Sequence, residues 1–203
     1  MLKVNKEQEP EFLLQFKRIN SPRTWDDYNC GTIKRQLKEY IVKMEQNNYC
    51  PYCETAIYES DDCHIEHIKP RDYFPQLFED YNNLIASCNG KNTCGNSKEN
   101  GYGDNFINPV IENPKDYFTF NIFTGEIIPS CKSQEDIRYK KAEFTIKLLN
   151  LNCTILVEAR KNLITILEVY KENYDDYSQY LEYFLRDGHS FPSLINYYIE
   201  ELM

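Results

Sequence analysis

No run of about 18 apolar residues occurs in the chain, so no helical membrane span is expected. The opening Met1-Leu-Lys-Val-Asn-Lys-Glu lacks the apolar core of a secretory leader, and the expectation is a cytoplasmic protein. Internal repeats and low-complexity tracts are missing as well. Basic residues are scarce: 23 Lys and Arg stand against 32 Asp and Glu, a net charge of −9. A protein that grips a polyanion alone usually carries a basic footprint. Only residues 1–48 lean positive here, so any work on nucleic acid calls for a partner that supplies phosphate neutralisation. Histidine is nearly absent, with three residues in 203.

Cysteine, by contrast, is plentiful. Eight thiols in a reducing compartment need a reason other than disulfides, and metal binding is the leading one. Hydrophobic residues make up 41% and aromatics 14%, enough to pack a core.

Three stretches are expected to pack as one globular α+β unit, mostly helical. Residues 1–48 read as helical. Pro10 opens a short apolar face of Phe12, Leu13 and Phe16; Thr32 then caps a helix over roughly 32–47 with Ile33, Leu37, Tyr40, Ile41 and Met44 inward. Residues 49–108 are rich in Asn, Gly, Asp and Cys and poor in periodic pattern, so a bound ion must help them fold. Residues 109–203 begin with a hairpin, 117–128, turning at Thr124-Gly125. Helices follow, with Leu156, Ala159, Leu163, Leu167 and Tyr170 on one face and Tyr177, Tyr180, Leu181, Phe184 and Leu185 on another. Gly188 stops that helix, and Pro192 opens the last one, with Leu194, Ile195, Tyr198, Ile199 and Leu202 inward.

The chemistry concentrates between Cys50 and Lys98. Cys50-x2-Cys53 is a knuckle spacing that aims two thiolates at one ion. Cys88 and Cys94 are the partner pair; their Gly- and Asn-rich spacer lets the backbone loop, and zinc is the favoured ion. Cys63 is a substitute ligand. Cys30, Cys131 and Cys153 are expected in the core. Glu66-His67 places a carboxylate for a hard divalent cation, Mg2+ or Mn2+, beside an imidazole able to deprotonate water. On a strand the two point to opposite faces, so they converge only at a strand end, which Pro70 marks. His64 shares a face with Glu66 and is a second ligand, a phosphate contact or a structural residue. Asn83 would hold the loop that orients His67. Asn96 offers an oxygen to the same metal, and Arg71 and Lys98 are candidates to neutralise phosphate.

Taken together these residues resemble the HNH, or ββα-metal, nucleases. That family combines a cysteine knuckle, an acid-His pair before a proline, an Asn-Leu step and a second cysteine pair closing toward a lysine. Here these are Cys50/Cys53, Glu66-His67 with Pro70, Asn83-Leu84, and Cys88/Cys94 with Asn96 and Lys98. The resemblance implies a ββα-metal core set between N- and C-terminal helices, a structural zinc on the four cysteines, His67 as general base, Glu66 and Asn96 on the catalytic metal, and Asn83 as orienter. Three departures stand out: the acid, Glu66, is Glu rather than the commoner Asp, the second cysteine spacing is long, and Gly95 occupies the place of the third signature residue. Asn96 and His64 both remain candidates to complete the metal site.

More widely, the stretch Lys3 to Leu13, His64-Ile-Glu-His67 with Pro70-Arg71, Asn83-Leu-Ile-Ala-Ser-Cys88, and Leu148-Leu-Asn-Leu151 with Arg160-Lys161 resemble the PtuB family of HNH subunits from Septu antiphage systems. Relatives of that family also serve as retron effectors. That resemblance implies DNA as target, a PtuA-like ATPase subunit as partner and further retron or defence components. The competing expectation is a zinc-stabilised docking module with a degenerate, non-catalytic HNH site.

Overall fold

Alternation along Cys63-His-Ile-Glu-His and the apolar run Leu84-Ile-Ala produce the two strands on which the site is built. β1 (Cys63–His67) pairs antiparallel with β2 (Leu84–Cys88), with Cys63 opposite Cys88, His64 opposite Ser87 and His67 opposite Leu84. The computed structural model describes residues 1–174 and 177–200. β2 is buried along its whole length, as a continuous apolar strand requires. At one end of the ladder Asn89 donates from its backbone N–H to the Asp62 carbonyl and from Nδ2 to that of Asp61; at the other, Ile68 N–H donates to the Asn83 carbonyl.

Among the described residues no third strand pairs with the outer edge of β2; a side chain takes its place. Gln46 Oε1 accepts from Ala86 N–H at 2.8 Å, and Gln46 Nε2 donates to the Ala86 carbonyl at 2.9 Å. Gln46 reaches that edge because helix α2 (Ile33–Tyr40) loosens into a π-helical turn, Ile41–Glu45. The extra residue in that turn rotates the face that follows. Ile41, Val42 and Glu45 are buried, while Met44, expected inward from the 3.6-residue period, is 61% exposed.

Helix α1 (Glu11–Asn20) and a 3₁₀ turn, Trp25–Asn29, complete the N-terminal region. Residues 1–9 are not helical as expected. Leu2 N–H donates to the Pro51 carbonyl and Val4 N–H to that of Pro109, which draws this segment out between two loops.

After β2, the five-residue helix α3 (Cys94–Lys98) folds back onto the face of β1 that carries His64 and Glu66. Further on, β3 (Phe118–Asn121) and β4 (Glu126–Pro129) form the expected hairpin, closed by Gly125 at φ +74°. A Cβ on Gly125 would meet Lys161 Cγ at 2.5 Å and the Val157 carbonyl at 2.8 Å, so only glycine lets the turn sit on the next helix. Buried Arg160 fastens the same junction, donating to the carbonyls of Gly125 and Leu151 and to Asn152 Oδ1.

Helices α4 (Ile137–Leu148), α5 (Thr154–Asn173), α6 (Tyr177–Arg186) and α7 (Pro192–Glu200) finish the α+β fold. Leu156, Leu163 and Leu167 of α5, Leu181 and Phe184 of α6, and Leu194, Ile195 and Tyr198 of α7 are buried as their spacing predicts. Each such aliphatic side chain contributes about 1.5–3 kcal/mol on burial. The Leu202 expectation lies outside the described residues. The hydrophobic cluster joins Leu13, Ile41 and Leu84 to Leu149, Leu181 and Ile195. Of the three lone cysteines expected in the core, Cys153 is partly covered and packs against it, whereas Cys30 is exposed and Cys131 is only partly covered. Cys30 and Cys131 sit in irregular segments, where no apolar face draws them in. Among the described residues, no helix is long and apolar enough to cross a membrane.

Candidate active site and metal centre

Four sulfurs meet at one end of the ββα unit. The Sγ atoms of Cys50, Cys53, Cys88 and Cys94 all lie within 4.8 Å of one another. Cys50 and Cys94 are 3.8 Å apart, and Cys53 and Cys88 are 3.6 Å apart. A zinc tetrahedron with Zn–S bonds of about 2.3 Å has edges of about 3.8 Å, so the thiol set fits that ion. The knuckle is closed by Glu54 N–H donating to the Cys50 carbonyl and Cys50 N–H to that of Thr55. Cys94 is held at φ +55°, a left-handed conformation that is costly for a side chain bearing Cβ, at the end of the long spacer.

Burial alone would push the Cys50 thiol up, yet donors from Cys53, Cys88 and Cys94 bring it well below its ordinary range. Cys94 is pushed up, by burial first and then by its thiol neighbours. A cation is what allows such a cluster to ionise together. Cys63 stays outside the cluster; its Sγ faces the Ser60 carbonyl, and burial raises it to about 11.

β1 distributes the remaining groups by strand alternation. His64 and Glu66 face α3. His64 Nδ1–H donates to Asn89 Oδ1 at 2.9 Å, a tautomer assigned from its partner, which leaves the Nε2 lone pair 3.7 Å from Glu66 Oε2. Their backing is Gly95: a Cβ there would lie 2.6 Å from His64 Nε2 and 3.0 Å from Glu66 Oε2. Gly95 N–H in turn donates to Ser87 Oγ. The Glu66 carboxylate beside Nε2 favours protonation there and raises the pKa of His64, while His64 and Lys98 hold the Glu66 carboxyl below its ordinary range against the opposing effect of burial.

Lys98 is neither at the surface nor free for phosphate. It is 2% exposed, its Nζ 2.7 Å from Glu66 Oε1 and 3.1 Å from the His67 carbonyl. Asn96 is exposed, and its Nδ2 donates to the Gly90 carbonyl.

His67, the last residue of β1, faces the other way. Its Nε2–H donates to the Phe78 carbonyl at 2.9 Å, and its ring meets Trp25 edge-on at 4.7 Å. Burial lowers its pKa to about 4, so it is neutral at pH 7 with Nδ1 as acceptor. Among the described residues no hydrogen bond joins His67 to Glu66. Asn83 ties down the loop that brings Phe78 to the ring. Its Oδ1 accepts from Lys69 N–H at 2.8 Å, and its Nδ2 donates to the carbonyls of Lys69 and Leu77. Arg71 is exposed, four residues beyond His67.

Two participants carry no signal as site residues in the sequence: Trp25, which walls His67, and Asn89, which sets the His64 tautomer. Asn89 follows Cys88 directly and is legible only as part of the cysteine spacer. Trp25 has no local cue, because its packing on His67 spans 42 positions.

No protein-family model matches the chain. Two named proteins do. One is provisionally named the HNH endonuclease of retron Ec83 from Escherichia coli, 28% identical over 81% of this chain and 79% of its own length. The other is Septu protein PtuB from Bacillus thuringiensis, 30% identical over 59% of this chain; the chain spans 42% of that protein. Along most of its length the chain is thus similar to a protein named as an HNH endonuclease, and over a shorter stretch to a Septu protein.

Proposed function

We propose that the chain is a metal-dependent HNH endonuclease that hydrolyses DNA phosphodiester bonds. One observation carries this reading: on a single strand, a neutral His67 with a free Nδ1 stands next to a carboxylate–imidazole pair, Glu66 and His64, whose lone pairs converge. Residues 49–108 form the nuclease module, framed by 1–48 and 109–203, and the four cysteines hold a structural zinc.

His67 Nδ1 takes a proton from water, and the resulting hydroxide attacks phosphorus in line. The P–O bond to the leaving 3′-oxygen breaks, giving a 5′-phosphate and a 3′-hydroxyl. The Phe78 carbonyl fixes the ring and its tautomer, and Asn83 fixes Phe78. Glu66 Oε2 and His64 Nε2 would hold a Mg2+ or Mn2+ ion, which would supply electrostatic stabilisation of the charge that develops in the reaction. We assign that second ligand to His64 rather than Asn96. His64 has its other nitrogen anchored on Asn89, as metal-bound imidazoles usually do, while Asn96 is committed to Gly90. Lys98 keeps Glu66 ionised.

The names of the relatives support a nuclease, and PtuB being a Septu protein supports a role as effector of a cytoplasmic defence complex with an ATPase partner. The net charge of −9 fits that arrangement, since a nuclease with weak hold on DNA stays silent until a partner positions it. The same charge favours the second reading, a docking module without catalysis. Plasmid nicking with Mg2+ or Mn2+, by the chain alone and with the co-purified ATPase subunit, separates the two. Cleavage by wild type and none by His67→Ala supports the nuclease; equal loss of plasmid integrity with both sinks the catalytic assignment.

A further inference from the structure

Among the described residues the His67 ring makes a single hydrogen bond, from Nε2 to the Phe78 carbonyl at 2.9 Å. One such bond lets an imidazole rock about it. The direction of Nδ1 therefore depends on what else packs on the ring and on how firmly Phe78 is held.

Residues 1–48 supply both. Trp25 meets the imidazole edge-on, with centroids 4.7 Å apart and planes at 89°. Tyr28 stacks on Trp25 at 4.8 Å, and Phe16 of α1 packs on Tyr28 at 4.9 Å. Tyr28, 1% exposed, also reaches the loop that carries Phe78. Its hydroxyl donates to Glu79 Oε2 at 3.1 Å, and its ring faces that of Phe78 at 6.5 Å. Lys17 of α1 ties Glu79 by the main chain, donating to its carbonyl at 2.7 Å. These contacts close a circuit from His67 through Trp25, Tyr28, Glu79 and Phe78 back to His67. A carboxylate acceptor strengthens the hydroxyl bond in it. That hydroxyl adds little to packing, since a Phe fills the same space. What it adds is a fixed distance between the aromatic ring that walls His67 and the carbonyl that binds it.

We propose that Tyr28 and Glu79 are positioning residues for His67: through Trp25 and Phe78 they hold the imidazole at two points and keep Nδ1 aimed at the water it deprotonates. This assignment rests on the nuclease reading for the role of His67. It adds that the N-terminal region, outside the ββα unit, sets the aim of the general base.

Long-range 1H–15N NMR of the imidazoles, with the full chain at neutral pH and no divalent cation, tests it beside plasmid cleavage with Mg2+. Tyr28→Phe and Glu79→Leu each remove the hydroxyl bond and keep the aromatic stack, whereas Glu79→Gln keeps an oxygen to accept it. Wild-type His67 is expected to show one protonated and one bare ring nitrogen, well separated in 15N shift. In Tyr28→Phe and Glu79→Leu the two signals draw together as the tautomers mix. In the same variants kcat falls about 10-fold while KM stays within about 2-fold. Glu79→Gln behaves as wild type, and Trp25, the sole tryptophan, keeps its emission maximum in every variant. Unaltered His67 signals in Tyr28→Phe overturn the assignment. So does a Glu79→Gln that loses as much as Glu79→Leu, or a red-shifted Trp25 emission, which would make the loss one of packing. The two readings fail separately. Plasmid left intact by wild type beside mixed tautomers in Tyr28→Phe sinks the nuclease and keeps the brace; cleavage by wild type beside unaltered signals does the reverse.

Discussion

A Cβ on Gly95 would lie 2.6 Å from His64 Nε2, so the position after Cys94 is shaped to admit an imidazole from the neighbouring strand. Gly95→Ala therefore displaces His64 from Glu66. Affinity for Mn2+ by titration calorimetry is expected to fall about 10-fold or more, with zinc content unchanged. Unchanged Mn2+ affinity would mean that His64 is not a ligand.

Lys98 supplies the second prediction. With Glu66 left buried and unpaired, Lys98→Met destabilises the fold by about 3 kcal/mol or more, read as a lower urea midpoint. Adding Glu66→Leu to Lys98→Met recovers most of the loss, because an apolar pair of similar volume carries no desolvation penalty. A double variant as unstable as the single would place the damage elsewhere.

How far these residues are legible in the sequence depends on the range of the interaction that places them. The cysteine set and the Asn83 tether follow local spacing, and Cys50, Cys53, Cys88 and Cys94 converge as their turns suggest. The hairpin at Gly125 and the faces of α5 to α7 follow periodicity. Met44 departs from its expected place because a π-helical turn inserts one residue without altering the apolar pattern. Lys98 reads as a candidate to neutralise phosphate because its burial depends on Glu66, 32 positions earlier.

His67 predicts a pH response. Its pKa is about 4 in the fold and about 6.5 in the unfolded chain, so between these values the unfolded chain binds a proton that the folded one refuses. The stability is fully present above pH 6.5 and is lost as the pH falls through 4, on the order of 3 kcal/mol. Urea midpoints measured without added divalent cation should show this loss in wild type and not in His67→Asn. His64, raised by Glu66, acts in the opposite sense: its contribution is present below pH 6.5 and is lost as the pH rises through its folded pKa.

Zinc content is the fourth test. Elemental analysis is expected to find one zinc per chain, lost in Cys53→Ser together with a lower melting temperature. Cys30→Ser, at an exposed thiol, keeps both. Full zinc in Cys53→Ser would remove that sulfur from the cluster.

Anomalous diffraction from crystals soaked in MnCl2 tests the central claim most directly. The account predicts manganese between Glu66 Oε2 and His64 Nε2, on the strand that carries His67, and a separate zinc peak among the four sulfurs. Manganese bound at Asn96, or nowhere near Glu66, would contradict it.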